Sequence, residues 1–267
     1  MAGQEEDSIY QYNQASWDTA AAAGQRWSQP VSPEEIQAAR DGKPRMVLTP
    51  EKPIPLTWLG DLKEREVLML AGSGGQQGPL VAAAGGKVTV LDLSAGQLKL
   101  DQEVAKREGL QLTTVQGSMD ATLPFSDGAF DLIIHPCSNT FVPSVLPVWR
   151  EAARVLKPGG EMLSGFLNPV YFLFDEAKLA KGEFEVCYRI PYSDLEQRTE
   201  AELSELRAKN EPFCFGHTLA DQLGGQTAAG LMIVDLYEDF WGPGDSEVLD
   251  RHLPSFLATR SRKPPKS

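Results

Sequence analysis

From Glu66 onward, short apolar runs alternate with longer segments of helical period. "EVLMLA" is continuously apolar, as a strand covered on both faces must be. "GPLVAAAGG" reads as a helix ended by glycine, and "KVTVLDLS" as a second strand. "AGQLKLDQEVAKREG" is an amphipathic helix, again ended by glycine. "QLTTVQGS" and "AFDLIIHP" read as strands three and four. "VLPVWREAARVLKPGG" reads as a helix closed by Pro-Gly-Gly, and "EMLSGFL" as strand five. This alternation predicts a doubly wound α/β sheet, mostly parallel, with right-handed crossovers. After Asn168 the rhythm breaks. "YSDLEQRTEAELSELRAKN" is a charged helix or connector, and "HTLADQLGGQTAAG" a helix. "LMIVDLYED" and "PSFLATRS" complete a set of seven strands.

The first sixty residues follow another pattern. "YNQASWDTAAAAGQRW" reads as a helix stopped by glycine. "SPEEIQAARDG" reads as a short helix with an N-cap serine and a proline at its first position. Prolines at 50, 53 and 55 exclude regular helix beyond it. The chain is therefore divided into an N-terminal helical arm or lid, residues 1–60, and one main domain, residues 61–267.

Charge narrows the function. A net charge of −12 argues against nucleic acid, which needs a basic face. The basic cluster "RSRKPPK" near the C-terminus reads as a solvated tail. No apolar run is long enough for a membrane span, and the acidic, polar start is no signal peptide. Cys137, Cys187 and Cys214 are widely spaced, which suits a reducing cytoplasm. The three histidines have no metal-ligand spacing, so no metal is expected.

The turn "LAGSGGQQGP" follows strand one, where doubly wound sheets bind ligands. A bare backbone there lets a ligand reach N–H groups at a helix N-terminus. Asp92 ends strand two, where a carboxylate can accept both hydroxyls of an adenosine ribose; a helix cap is the rival role for it. Gly72-Ser73-Gly74-Gly75-Gln76-Gln77 misses the third small residue of the dinucleotide fingerprint, which disfavours an NAD-dependent oxidoreductase.

The strand "FDLI", the helix after it and "RVLKPGG" leading into another strand together resemble the class I S-adenosylmethionine-dependent methyltransferases over roughly residues 66–166. The "GGQQ" turn, "HPCSN" and "YED" are similar to a small-molecule subgroup of that family. The resemblance implies a Rossmann-like seven-stranded sheet with a C-terminal antiparallel strand, S-adenosylmethionine as cofactor and a small-molecule methyl acceptor. It implies a cofactor held by Ala71, Gly72, Ser73, Gly75 and Gln77 of the turn. Asp92, Leu93 and Gln97 follow, with Ser118 and Met119 after strand three and His135 after strand four. Tyr12 and Trp17 of the arm are expected over the cofactor, beside Tyr10 and Asn13. Two departures stand out: Met69 where the family has an acid, and Ser118 where it has an acidic residue.

His135 is a candidate base and Asn139 a candidate catalytic or acceptor-holding amide. Asn168, Tyr171, His217 and Gln226 are the other acceptor candidates. Amide, imidazole and phenol groups favour a small polar acceptor, with nitrogen as the weakly favoured atom. No nucleophile with a paired base is visible, so direct in-line transfer is expected from a monomer or homodimer. The alternative is a nucleoside-binding regulatory protein of the same fold without transferase activity.

Overall fold

The computed structural model describes residues 2–242 and 247–265. Strands β1 (Glu66–Leu70), β2 (Lys87–Asp92), β3 (Leu112–Gln116), β4 (Phe130–His135), β5 (Leu156–Leu167), β6 (Met232–Asp239) and β7 (Phe256–Arg262) form one seven-stranded sheet. Its order is 3-2-1-4-5-7-6, with β7 antiparallel to both of its neighbours. The order reverses between β1 and β4, which places a ligand-binding crevice at the C-terminal ends of those strands.

The continuous apolar run of β1 follows from burial on both faces. Val67 and Met69 enter one core layer, with α4 (Gln77–Ala83), α5 (Ala95–Glu108) and α2 (Pro33–Arg40). Leu68 and Leu70 enter the other, with Val148, Trp149 and Ala152 of α6 (Leu146–Val155). A carboxylate at position 69 would be desolvated; methionine fills the space instead. Residues before β1 belong to the same core: Ile36, Met46 and Leu48, with Trp58 and Leu59 of α3 (Leu56–Leu59), are all buried in the α2 layer. The expected N-cap serine is present on α2 and forms a capping box: the Ser32 side chain accepts from Glu35 N–H, and the Glu35 side chain accepts from Ser32 N–H. Helix α1 (Ala2–Ala23) begins earlier than its sequence pattern suggests and stops at Gly24.

Two expectations are corrected. The helix before "KPGG" ends at Val155, and Lys157 to Gly160 already belong to β5. Proline disfavours helix in the residue before it, and Gly159 N–H donates to the Lys263 carbonyl while Lys263 N–H donates to that of Gly160. The C-terminal basic cluster is not a solvated tail. Arg260 and Arg262 both pair with Glu161, and the Lys263 ammonium donates to the carbonyls of Ala153 and Leu156. It thereby meets orphan acceptors at the negative end of α6.

Residues 46–52 cross the C-terminal end of the sheet as a strap. The Leu48 carbonyl accepts from Cys137 N–H at 2.9 Å, and a Cβ on Gly165 would sit 2.1 Å from that carbonyl oxygen. Gly165→Ala should therefore lower stability by on the order of 1–3 kcal/mol. Gly224→Ala, whose new methyl meets nothing within 4 Å, should be close to neutral. Urea denaturation of both variants checks this; equal midpoints would show that the strap yields freely.

Candidate active site

A cavity of about 1170 Å³, its mouth included, lies at the C-terminal ends of the strands. It is roofed by Tyr10, Asn13 and Trp17 of α1 and walled by strap residues Val47 to Pro50.

The glycine turn serves packing. A Cβ on Gly74 would lie 2.3 Å from the Gln97 carbonyl oxygen, so α5 is what approaches the bare backbone there. Gly74 N–H donates to Gln97 Oε1 and Gly75 N–H to Asp101 Oδ1. These two amides are consumed by α5 and are not left for a ligand. Gly75 also faces Pro30, and Gly72 faces Met69; neither lines the cavity. Ala71 and Ser73 do line it, both with positive φ. Gln77 lines it too, but its amide is paired with Val47, donating to the carbonyl and accepting from the N–H. The Gln76 amide donates to the Arg26 carbonyl. The two glutamines thus tie N-terminal segments to the turn. Gln97 reaches the wall with its amide spent on Gly74 and Ser28.

Asp92 and Leu93 line the cavity at the end of β2. Asp92 Oδ1 accepts from Ser94 N–H, while the α5 cap is Ser94 itself, whose Oγ accepts from Gln97 N–H. Burial pushes the Asp92 carboxyl up to about 6, and the nearby Asp18 carboxylate adds to the rise. Asp18 accepts from Ser94 Oγ–H and Gly96 N–H, joining α1 to the start of α5. Ser118 and Met119 lie at the end of β3. Ser118 donates to Asp120, whose other oxygen accepts from the Tyr10 hydroxyl at 2.6 Å. A carboxylate therefore backs the serine that stands at the family's acidic position. Asp92, Ser118 and Met119 give the chemistry that an adenosine needs: an acceptor for ribose hydroxyls and a polar edge beside an apolar one. The site fits S-adenosylmethionine.

The arm is latched at several points. Asn13 is 1% exposed and fully engaged, donating to the carbonyls of Phe141 and Phe213 and accepting from Phe213 N–H. Trp17 lies edge-on to Phe141 at 4.9 Å, and both line the cavity. Tyr12 turns away: its ring stacks on Phe213 and its hydroxyl donates to the Glu211 carbonyl.

The remaining expected residues do not line the cavity. His135 is fully buried between the Leu70 carbonyl, 2.8 Å from Nδ1, and the Trp149 ring. Burial pushes it down to about 4, so the ring is neutral and Nδ1 carries the donated proton. Asn139 pairs amide to amide with Gln222. His217 Nε2 is bonded to the Asn139 carbonyl, and its burial lowers its pKa. Asn168 accepts from Val170 N–H and donates to the Pro254 carbonyl. Tyr171 donates to Glu176, and Gln226 is buried between Gln222, Thr259 and Ser261. Each of these side chains is bonded within the fold, His135 through Nδ1 alone, and none lines the cavity.

In their place stand Cys137, Thr140, Val142, Leu167, Trp241 and Phe256. Nothing in the local sequence marks Leu167 or Trp241; long-range pairing brings them in. Burial raises the Cys137 thiol to about 12, so it stays protonated. Among the described residues that line the cavity, Asp92 is the one charged side chain. No group of three or more histidine, cysteine, aspartate or glutamate side chains among the described residues could hold a metal ion. No described helix is long and apolar enough to cross a membrane.

The methyltransferase domain family model matches residues 68–164. The uncharacterized methyltransferase YbaJ of Bacillus subtilis strain 168 is 44% identical over 257 residues, covering 96% of this chain and 99% of that one. An S-adenosylmethionine-dependent methyltransferase from Mesorhizobium loti shares the fold with a TM-score of 0.59 at 19% identity, covering 78% of this chain and 94% of that one. A geranyl diphosphate methyltransferase in complex with S-adenosylmethionine superposes with a TM-score of 0.53 at 18% identity, covering 78% and 82%.

His135 and Asp92 set opposite acid responses. The His135 contribution to stability is fully present above pH 6.5 and is lost as pH falls toward 4; the gap is worth about 3 kcal/mol. The Asp92 contribution is present below pH 3.8 and lost as pH rises through about 6. Asp92→Asn should therefore lose more stability than the natural protein between pH 6.5 and 4.5, as read by urea denaturation at both values. Equal losses would refute the opposition.

Proposed function

The chain belongs to the class I S-adenosylmethionine-dependent methyltransferases, and on that premise we propose that it methylates a small molecule held over β4, β5 and β7. The observation that carries this reading is the cavity at the strand ends, lined both by Asp92, Ser118 and Met119 and by Leu167, Trp241 and Phe256. When bound, S-adenosylmethionine supplies a methyl on a positive sulfur, and the electron pair of the broken C–S bond stays on that sulfur.

The chain's own residues supply position and dryness. Asp92 would hold the ribose hydroxyls, Ser118 and Met119 would receive the adenine, and Trp17 at the roof would offer an aromatic face to the cation. No histidine, lysine, arginine or glutamate lines the cavity among the described residues. The acceptor's proton therefore passes to solvent at the cavity mouth as the product leaves, not to a resident base. Orientation alone can remove on the order of 7–11 kcal/mol of barrier. The protonated Cys137 is no nucleophile, which supports direct transfer to the acceptor without a methylated enzyme. The latched arm and the strap exclude water, which would otherwise weaken each electrostatic contact.

Calorimetry tests the cofactor assignment. S-adenosylhomocysteine should bind, and Asp92→Ala should weaken it by roughly 1.5–3 kcal/mol, the worth of hydrogen bonds to a charged group. Affinity in the natural protein should fall as pH drops below about 6, because the proton taken up by Asp92 removes an acceptor. Binding of NAD with no binding of adenosyl ligands would overturn the reading. A screen of metabolite extracts with methyl-labelled cofactor then identifies the product.

A further inference from the structure

Asp92 and Ser118, the polar side chains that line the cavity at the ends of β2 and β3, each reach α1 through one intermediate residue. Asp92 Oδ1 accepts from Ser94 N–H at 2.8 Å, and Ser94 Oγ–H donates to Asp18 Oδ1 of α1 at 2.6 Å. Ser118 donates to Asp120, which accepts from the Tyr10 hydroxyl of α1. Tyr10, Asn13 and Trp17 recur at helical spacing and line the cavity; Asp18 does not line it. Whatever Asp18 does for a bound cofactor, it does through Ser94.

The chain is shaped for this contact. Asp18 Oδ1 also accepts from Gly96 N–H at 2.8 Å, in the first turn of α5. A Cβ on Gly96 would sit 3.1 Å from Asp18 Oδ1 and 3.1 Å from the Ala21 Cβ, so a bare backbone at position 96 admits α1 this closely. A carboxylate there also suits the positive end of a helix. Ser94 is fully buried and bonded to Asp92, to Asp18 and, as acceptor, to Gln97 N–H. Were α1 to lift, the Ser94 hydroxyl and the Gly96 N–H would lose their acceptor together. A donor stripped of its acceptor in a buried turn draws the backbone toward other partners. The backbone that would shift is the one whose N–H orients Asp92.

We propose that Asp18 is a positioning residue for Asp92, acting through Ser94, so that the seating of α1 and the binding of an adenosyl ligand favour each other. This rests on the cofactor reading and deepens it: the arm roofs the cavity and also sets the carboxylate that meets the ribose. Such coupling is reciprocal, so each event stabilises the other by the same factor.

The test uses the full chain and S-adenosylhomocysteine. Amide hydrogen exchange read by mass spectrometry should slow at least about fivefold across residues 8–23 when the ligand saturates, the lower range for coupled sites. Exchange in α6, which does not line the cavity, should slow less. By calorimetry, Asp18→Ala should weaken the ligand about five- to tenfold. Asp18→Asn keeps one oxygen that can accept from both Ser94 and Gly96, and it should recover most of that loss. Equal slowing of α1 and α6 would reduce the effect to the general stabilisation any ligand gives, and would overturn the proposal. So would natural affinity in Asp18→Ala, or an Asp18→Asn variant as weak as Asp18→Ala. Should Asp18→Ala fail to fold, the comparison of α1 with α6 in the natural protein still decides. If no adenosyl ligand binds, the cofactor reading falls; if S-adenosylhomocysteine binds and α1 exchange is unmoved, the coupling alone falls.

Discussion

The strap at residues 46–52 is the constraint on which the site depends. It lies against Gly165 of β5 at a distance no side chain would permit, and it is fixed from three sides. Gln77 closes an amide pair on Val47, Cys137 donates to the Leu48 carbonyl, and Asp239 accepts from Thr49, Glu51 and Lys52. These contacts come from the β1 turn, the β4 end and the β6 end. They convert a proline-interrupted loop into a rigid wall. Without the strap, the acceptor end would open to water and lose the dry surroundings that make positioning effective.

The same economy explains the helix α5 contacts. Gln97 and Asp101 accept the turn's two glycine N–H groups, while Asp18 from α1 meets the first turn of α5. Three carboxylates, Asp18, Asp92 and Asp101, therefore converge near one helix start. Burial raises both Asp92 and Asp101, and Asp92 adds to the rise at Asp101. Asp92 is the one whose side chain lines the cavity, and an adenosine with hydroxyls to donate relieves its desolvation.

The arm completes the enclosure through polar bonds as well as apolar packing. Tyr10 meets Asp120, and Asn13 bridges Phe141 and Phe213. All three bonds span more than a hundred residues of sequence, so closure of the roof reports on the β3 end and on the segment after β5 together. The cavity wall is chemically uneven because different halves of the sheet supply it: the ends of β2 and β3 bring Asp92 and Ser118, while those of β4, β5 and β7 bring Cys137, Leu167 and Phe256.

The sequence by itself determined the strands and the mostly parallel sheet, and it marked Asp92, Ser118 and Met119, which line the cavity. Strand burial on two faces writes continuous apolar runs, helix ends write Ser, Pro and Gly, and Asp92 ends β2, the strand that follows the turn and its helix. These are local signals, set by backbone sterics and period. The glycine turn misled in detail, because a bare backbone signals close approach without saying what approaches; here it is α5. Only the tertiary structure decided the acceptor end. His135, Asn139, His217 and Gln226 look chemical in sequence, yet each is absorbed by the core or by a polar partner brought from elsewhere in the chain. Trp241 carries no motif, and it reaches the cavity because β7 inserts between β5 and β6 and draws the β6 end beside Leu167. Burial and partner choice depend on distant residues, and a linear pattern does not encode them.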